Sequence, residues 1–346
     1  MFDFSRFLKE CLASADQISR SFNTEFSGIN RTVPRFPALI NNYYLSLALK
    51  AGDPVLRQII PDPEEMSVSN EMMAEDPVGE DLYSPVPNLT HRYQDRVLLL
   101  ISDRCPIYCR FCTRKRKIGR SLRVTDETVR EGIDYIKKHP GIRDVLLSGG
   151  DPLMLENERL DQILSEIREI PHVEILRIGT RVPAAYPERV SSDLATLLTS
   201  FSPLYIHTHF NHPAEITPES REACRVLADA GIPLGNQTVL LGGINNDPDT
   251  LEKLFRELLL MRVRPYYLFQ MDAVRGTRHF STPLMAGVKI IDELRRRTSP
   301  MALPTFVVDL PDGKGKVFPT QTSVLFPGTP QQAIITSDGK IVPYPD

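Results

Sequence analysis

From Val97 onward the chain alternates, six times in succession, a short apolar run with a longer segment of helical period. The first run is Val97–Ile101. Its helix starts near Asp126 with Thr125 as cap and ends at Lys137-Lys138-His139 before Pro140-Gly141, so acid opens it, base closes it and a breaker follows. Asp144–Leu147 is the second run, and Leu160, Ile163, Leu164 and Ile167 mark one face of the helix after it. Val173–Ile178 follows, with a helix within Ala184–Ser200. Leu204–His209 precedes a helix opened by Thr217-Pro218-Glu219 and closed by Gly231. Leu234–Leu241 leads to a helix capped at Asp247-Pro248, and Arg264–Gln270 to one over about Leu284–Arg297. Six βα units with right-handed crossovers give a parallel sheet.

Strand count alone does not separate a barrel from an open sheet, but the polar residues do. The cysteines follow the first strand, Ser148-Gly149-Gly150-Asp151 the second and Thr180-Arg181 the third. His209 ends the fourth, and Asp272 follows the sixth. Chemistry gathered at the C-terminal ends of successive strands implies a curved array with one mouth. The expectation is an α/β fold, a partial (βα)6 TIM-like barrel open on one side. Residues 1–90 read as a helical leader, Phe2 to about Ser21 and Ala38 to about Ala51, plus an acidic, proline-rich connector over 61–90. Residues 91–300 form the barrel. Residues 301–346 add a strand at Thr305–Asp309, a lysine-bearing loop and a hairpin turning at Ser337-Asp338-Gly339-Lys340.

Net charge is −3, so no global basic field points to nucleic acid. No apolar run approaches the ~18 residues of a spanning helix. The opening MFDFSRFLKECLASADQ carries acids and no apolar stretch, so it does not read as a signal peptide, and a cytoplasmic location is expected. Of five cysteines, Cys11 and Cys224 lie on amphipathic helical stretches and read as buried thiols.

The other three, Cys105, Cys109 and Cys112, are spaced C-x3-C-x2-C. A structural zinc site takes four ligands, and no fourth cysteine or finger-spaced histidine lies near. A cubane iron–sulfur cluster held by three thiolates leaves one iron open. On the loop after the first strand, with Phe111 between the last two cysteines and Ser-Gly-Gly-Asp following the next strand, the pattern resembles that of radical S-adenosylmethionine enzymes. In those enzymes the open iron chelates the methionine part of the nucleotide, and the Gly-Gly-Asp turn holds its amino group. That resemblance implies a [4Fe–4S] cluster on the three cysteines.

Cations crowd in behind: Arg114, Lys115, Arg116, Lys117 and Arg120. Arg114 is placed to clamp a carboxylate through its fork, while some of the others read as solvated. His91-Arg92-Tyr93-Gln94-Asp95-Arg96 puts two arginines one turn apart with a hydroxyl between, a pattern that suits a phosphate and equally suits surface arginines. Near the C-terminus, Pro311-Asp312-Gly313-Lys314-Gly315-Lys316 gives lysines a flexible loop, as a Schiff-base amine needs.

"PVPNLTHRYQDRVLLLISDRCPIYCRFCTRKR", "RDVLLSGGDPL", "HTHFNHPAEIT", "ADAGIPLGNQTVLL", "RPYYLFQMD" and "LPTFVVDLPDGKGK" together closely resemble the lysine 2,3-aminomutase family. The resemblance implies pyridoxal 5′-phosphate (PLP) besides the cluster and S-adenosylmethionine. Carried over residue by residue, Lys316 is the PLP lysine, and Arg92, Tyr93 and Arg96 meet its phosphate. Ser148, Gly149, Gly150, Asp151, Arg181, His209 and Gln237 fall around S-adenosylmethionine. Arg114 binds the amino acid's carboxylate, and Asp272 and Asp309 bind its ε-ammonium. Three departures stand out. The family's C-terminal cysteine-rich zinc segment has no counterpart before Asp346, its internal zinc cysteine is replaced by Asp247, and Asp312 and Lys314 interrupt its glycine run, making Lys314 a rival anchor.

The implied activity is isomerisation of L-lysine to L-β-lysine, started by a 5′-deoxyadenosyl radical and assisted by PLP. A flavodoxin- or ferredoxin-like electron donor and a homo-oligomer are implied with it. The alternatives are the same chemistry on arginine or another cationic amino acid, lysine isomerisation feeding translation-factor modification, or a non-enzymatic metal- or cluster-bearing module.

Overall fold

A computed structural model describes residues 2–67, 73–120, 123–320, 324–336 and 340–344. The leader forms α1 (Phe4–Lys9), α2 (Ala15–Phe22), α3 (Ile29–Arg35), α4 (Asn42–Ala51) and α5 (Asp53–Leu56). The single helix expected from Phe2 to Ser21 is therefore two. Ser14 and Gln17 close a capping box that starts α2 afresh, and Leu12 leaves the helix to pair with Ile40. That bridge also holds the chain extended before Asn42, which is why the second leader helix begins later than Ala38. Ile18, Ile29, Ile40, Tyr44 and Ile59 form a small core of their own, which meets the barrel through Ile107 of the cysteine loop and Ala185.

The main sheet runs in chain order: β1 (Leu89–Tyr93), β2 (Arg96–Ser102), β3 (Asp144–Gly149), β4 (Ile175–Gly179), β5 (Leu204–Thr208), β6 (Leu234–Leu240), β7 (Val263–Gln270), β8 (Thr305–Asp309) and β9 (Lys316–Val317). Strands β2 to β8 are parallel, and β1 and β9 pair antiparallel at the two edges. No pairing between β1 and β9 closes the sheet among the described residues, so the barrel is partial, as expected. The sequence reading missed β1. Residues 93 and 96 face each other across a tight hairpin, so Arg92 and Arg96 lie on two antiparallel strands, and the one-turn spacing assumed for them is wrong.

The six crossovers place α6 (Asp126–Lys138), α7 (Asn157–Arg168), α8 (Val182–Ala185) with α9 (Ser192–Thr199), α10 (Pro218–Asp229), α11 (Pro248–Leu260) and α12 (Leu284–Arg297) between successive strands. Thr125, Thr217 and Asp247 cap α6, α10 and α11 through their side chains. Strand alternation then sorts chemistry from packing. On β3, Val145 and Leu147 are fully buried in the main core with Ile133, Ile136, Ile163 and Leu164. Asp144, Leu146 and Ser148 face the opposite way, into the barrel. The same alternation puts Arg177, His207, Gln237 and Phe269 inside. Cys11 and Cys224 are buried thiols, as expected.

A second, three-stranded antiparallel sheet joins β10 (Val324–Leu325), β11 (Ala333–Ile335) and β12 (Ile341–Pro343). The β11–β12 pairing is that of a hairpin. Its expected turn residues, Ser337 to Gly339, lie outside the described residues. Among the described residues no helix is long and apolar enough to cross a membrane.

Candidate active site

The cysteine loop leaves β2 and is held from beneath by the turn after β3. Gly150 N–H donates to Ser102 O at 2.7 Å, and Asp151 N–H donates to Arg104 O at 2.6 Å. Gly149 sits at φ +137°, and a Cβ on Gly150 would lie 2.9 Å from Cys105 Sγ, so the close approach requires glycine at both positions. Burial pushes the Cys112 thiol up to about 11 and the Cys105 thiol well above its usual range, and the neighbouring thiols add to both shifts. The buried Cys105 and Cys112 thiols favour the neutral form until a cationic centre takes them as thiolates. Among the described residues no three His, Cys, Asp or Glu side chains converge on one metal ion. A cluster that takes each thiolate on a different iron does not need them to converge, so this donor set fits a cluster better than zinc.

Asp151 and Arg181 were expected beside the nucleotide, and the structure gives both other partners. Asp151 accepts from Thr180 Oγ1 and Arg181 N–H, each at 2.7 Å, and from Leu153 N–H at 3.1 Å. Its carboxylate ties the β3 turn to the β4 turn and does not line the cavity. Arg181 is buried. It donates to Glu215 at 2.8 Å, Tyr44 at 2.9 Å and Gln58 at 2.5 Å, which locks the leader onto the barrel, and its Nη1 reaches Cys109 Sγ at 2.7 Å. The two glycines also stay outside the cavity lining.

The cavity inside the barrel has a volume of about 630 Å³. Ser148, His209, Gln237, Arg92, Tyr93, Arg96, Arg114, Asp272, Asp309 and Lys316 all reach it, from strands and loops spread along the chain. His209 stacks on Phe111 with ring centroids 5.6 Å apart. Its Nε2 is buried with no hydrogen-bond partner among the described residues, and burial lowers its basicity to about 3, so it is neutral. Arg96 lies over the Tyr93 ring at 4.1 Å and pairs with Asp95 at 3.0 Å, while the Tyr93 hydroxyl accepts from Lys316 N–H at 3.2 Å.

Lys316 lines the cavity, with Nζ paired to Asp309 and 5.1 Å from the Phe269 ring centre. Lys314 faces solvent beside Asp312 at 3.5 Å and is not among the lining residues. The two aspartates do enter one cavity, but they are not equivalent. Asp309 already has two cations, Lys316 and Arg92. Asp272 is held by the Thr113 hydroxyl at 2.9 Å and, among the described residues, has no cationic partner within ion-pair distance. Burial, and then the Asp309 charge, push its carboxyl up to about 7. The expectation that both carboxylates await a cation is therefore corrected to one.

Four of the five cations behind the cysteines are paired with acids, while Arg120 is exposed, in line with the reading of some as solvated. Glu65 takes Arg110 through Nε and Lys115 through Nζ, each at 2.8 Å, and both side chains are buried. Glu80 takes Arg114 through two bonds, of 2.6 and 3.1 Å. Arg116 reaches Asp76 at 3.0 Å and Asp81 at 2.6 Å, and Lys117 reaches Asp81 at 3.0 Å. The acidic connector and the basic run, which the sequence presents as two separate features, are one electrostatic seam that lays residues 73–84 against the cavity. Sequence reasoning missed Glu80, Thr113 and the Asp144–Arg177 pair (2.7 Å) among the lining residues. An acid-rich stretch of about the right length to answer a cationic run was the signal for Glu80. His207, stacked on Tyr266 at 5.0 Å, carried no signal beyond its place in an apolar strand.

Comparison with known proteins gives the following. Residues 99–258 match the radical SAM superfamily. The chain is 46% identical to the L-lysine 2,3-aminomutase of Fusobacterium nucleatum over 92% of this chain and 76% of that one. It is 47% identical to the L-lysine 2,3-aminomutase of Clostridium subterminale over 92% and 75%. It is 42% identical to the glutamate 2,3-aminomutase of Clostridioides difficile over 90% and 74%.

Proposed function

The chain belongs to the lysine 2,3-aminomutase family of radical SAM proteins, and from that premise we propose that it converts L-lysine to L-β-lysine. The observation that carries the choice of lysine is Asp272, a buried carboxylate in the cavity with no cation paired to it among the described residues. An ε-ammonium placed there forms charge-assisted hydrogen bonds, each worth about 1.5–3 kcal/mol. A glutamate side chain would instead bring a third negative charge to Asp272 and Asp309. That argues against the substrate named for the Clostridioides difficile relative, although the two chains are similar.

The cofactors of the family suit the residues present. Cys105, Cys109 and Cys112 would hold the cluster. Lys316, on its glycine loop, would hold PLP, with Arg92, Tyr93 and Arg96 near its phosphate. When bound, the cluster and S-adenosylmethionine supply a hydrogen-abstracting radical, and PLP supplies the conjugated system across which nitrogen migrates. The chain's own residues do the positioning. Asp272 fixes the ammonium end of the substrate, Arg114 takes its carboxylate, and neutral His209 and Gln237 line the wall toward the cysteine loop. The strap over residues 73–84 helps keep water away. An electron donor of the flavodoxin or ferredoxin type, assembly into a homo-oligomer and a cytoplasmic location complete the proposal.

Asp272→Asn tests it. The variant is expected to lose 10-fold to 100-fold in kcat/KM for lysine, about 1.4–2.8 kcal/mol, with cluster and PLP absorbance unchanged. Its pH dependence is the sharper readout. In the ligand-free protein Asp272 keeps its proton up to about pH 7, and that protonated form contributes stability that is lost as pH rises through 7. An ammonium pairs with the ionised form, so the KM of the wild type for lysine should climb as pH falls below 7. In Asp272→Asn it should stay flat. A variant with unchanged lysine kinetics at every pH removes Asp272 from the site.

A further inference from the structure

Glu80 is an acid in an unexpected place. It is 7% exposed, lines the cavity and lies close enough to Asp272 to raise that carboxyl further. A further carboxylate in a site that must accept an amino acid's carboxylate needs a reason.

Its contact with Arg114 supplies one. Glu80 accepts from Nε at 3.1 Å and from Nη2 at 2.6 Å, so it engages one edge of the guanidinium. A guanidinium has five N–H donors in a rigid plane. Nη1 of Arg114 makes no hydrogen bond among the described residues, and the side chain borders the cavity. Engaging the Nε edge therefore fixes the plane and leaves the Nη1 edge to a ligand.

Glu80 is itself held rigidly. Its N–H and that of Asp81 donate to the two oxygens of Asp76 at 3.0 and 2.9 Å, and Ser84 Oγ donates to its carbonyl at 2.7 Å. Gly79 packs so closely on the lysine loop that a Cβ would stand 3.0 Å from Asp312 C and Gly313 N. Asp312 N–H donates to Pro77 O at 3.1 Å, and Arg92 donates to Val78 O. The strap that carries Glu80 is thus pinned to the loop that carries Lys316. Groups oriented this way lose little entropy on binding a ligand.

We propose that Glu80 is a positioning residue for the substrate's carboxylate: it fixes Arg114 from the Nε edge so that the Nη1 edge receives the amino acid. This rests on the reading that the carboxylate docks at Arg114. The opposite relation, in which Glu80 merely fills that place and must leave, predicts an effect of opposite sign.

The test uses the holoenzyme with lysine as substrate and lysinamide, which lacks the carboxylate, as competing ligand. Glu80→Gln should raise the KM for lysine about 10-fold with a smaller change in kcat, and leave the inhibition constant of lysinamide unmoved. Asp81→Asn loosens the same strap at Arg116 and Lys117 without touching Arg114, and should leave both constants as in the wild type. If Glu80→Gln does not load its cofactors, Glu80→Asp takes its place and should show the same selectivity for lysine over lysinamide. An unchanged or lower KM for lysine overturns the proposal, as does an equal shift for lysinamide. Arg114→Gln separates the two levels. If it weakens lysine and spares lysinamide while Glu80→Gln does neither, only the role of Glu80 falls. If it weakens both equally, the carboxylate assignment falls and Glu80 with it.

Discussion

Cys109→Ala is expected to yield a folded protein that lacks the brown colour of the cluster and forms no 5′-deoxyadenosine under reducing conditions. Three thiols serve the cluster, and the loss of one leaves two irons without a protein ligand. The fold has little reason to fail. Cys109 is only partly buried, and its polar contact, from Arg181 Nη1, involves a guanidinium that keeps Glu215, Tyr44 and Gln58. The turn that supports the loop meets Cys105, not Cys109. The variant should therefore retain its melting temperature within a few degrees and still take up PLP, because Lys316 comes from the opposite side of the sheet order, on β9. Anaerobic reconstitution followed by an absorbance scan, a thermal melt and chromatography of the nucleotide products measures these outcomes. A variant that still cleaves the nucleotide would mean that the cluster lies elsewhere.

Reduction with borohydride should place the pyridoxyl group on Lys316, and Lys316→Ala should lose both PLP absorbance and turnover. The sequence offers two lysines on one glycine loop, and the geometry separates them. Lys316 opens β9, and its amine enters the cavity beside Asp309 and Phe269. Lys314 stands outside, about half exposed, against Asp312. The short pairing of β9 with β8 sets this difference, since Asp309 is opposite Lys316 in the ladder. Lys314→Ala is expected to behave as the wild type. A label recovered from Lys314 would contradict this.

The sheet was legible because its signals are local. Thr125, Thr217 and Asp247 announce helix starts by side-chain chemistry that acts within three residues, and the apolar runs announce buried parallel strands. The C-x3-C-x2-C spacing is likewise confined to one loop. What escaped depends on partners distant in sequence. Arg181 was placed near the nucleotide because it follows a strand end, and its hydrogen bonds to Tyr44, Gln58 and Glu215, from the leader and the next unit, gave no local signal. Asp309 looked unpaired because nothing local shows that Arg92, from the other edge of the sheet, returns to meet it. Some cations of the basic run looked solvated because the acids that pair them lie about 30 to 50 residues earlier, on the connector. Residues 92 and 96 were misplaced for a different reason: a two-residue hairpin at Gln94-Asp95 carries no glycine to announce itself.

The central claim is that the cavity is built for an amino acid with a cationic side chain, lysine first. The most direct measurement is kcat/KM of the reconstituted wild-type enzyme for lysine, ornithine, arginine and glutamate, each followed by identification of the product. Lysine should win. Ornithine should trail because its ammonium falls short of Asp272, and arginine because its longer, forked head overfills the same place. Glutamate should be unreactive within detection, since the Asp272 carboxylate would repel its side chain. If glutamate or an uncharged amino acid is turned over best, the account of this site built on the lone Asp272 carboxylate is wrong.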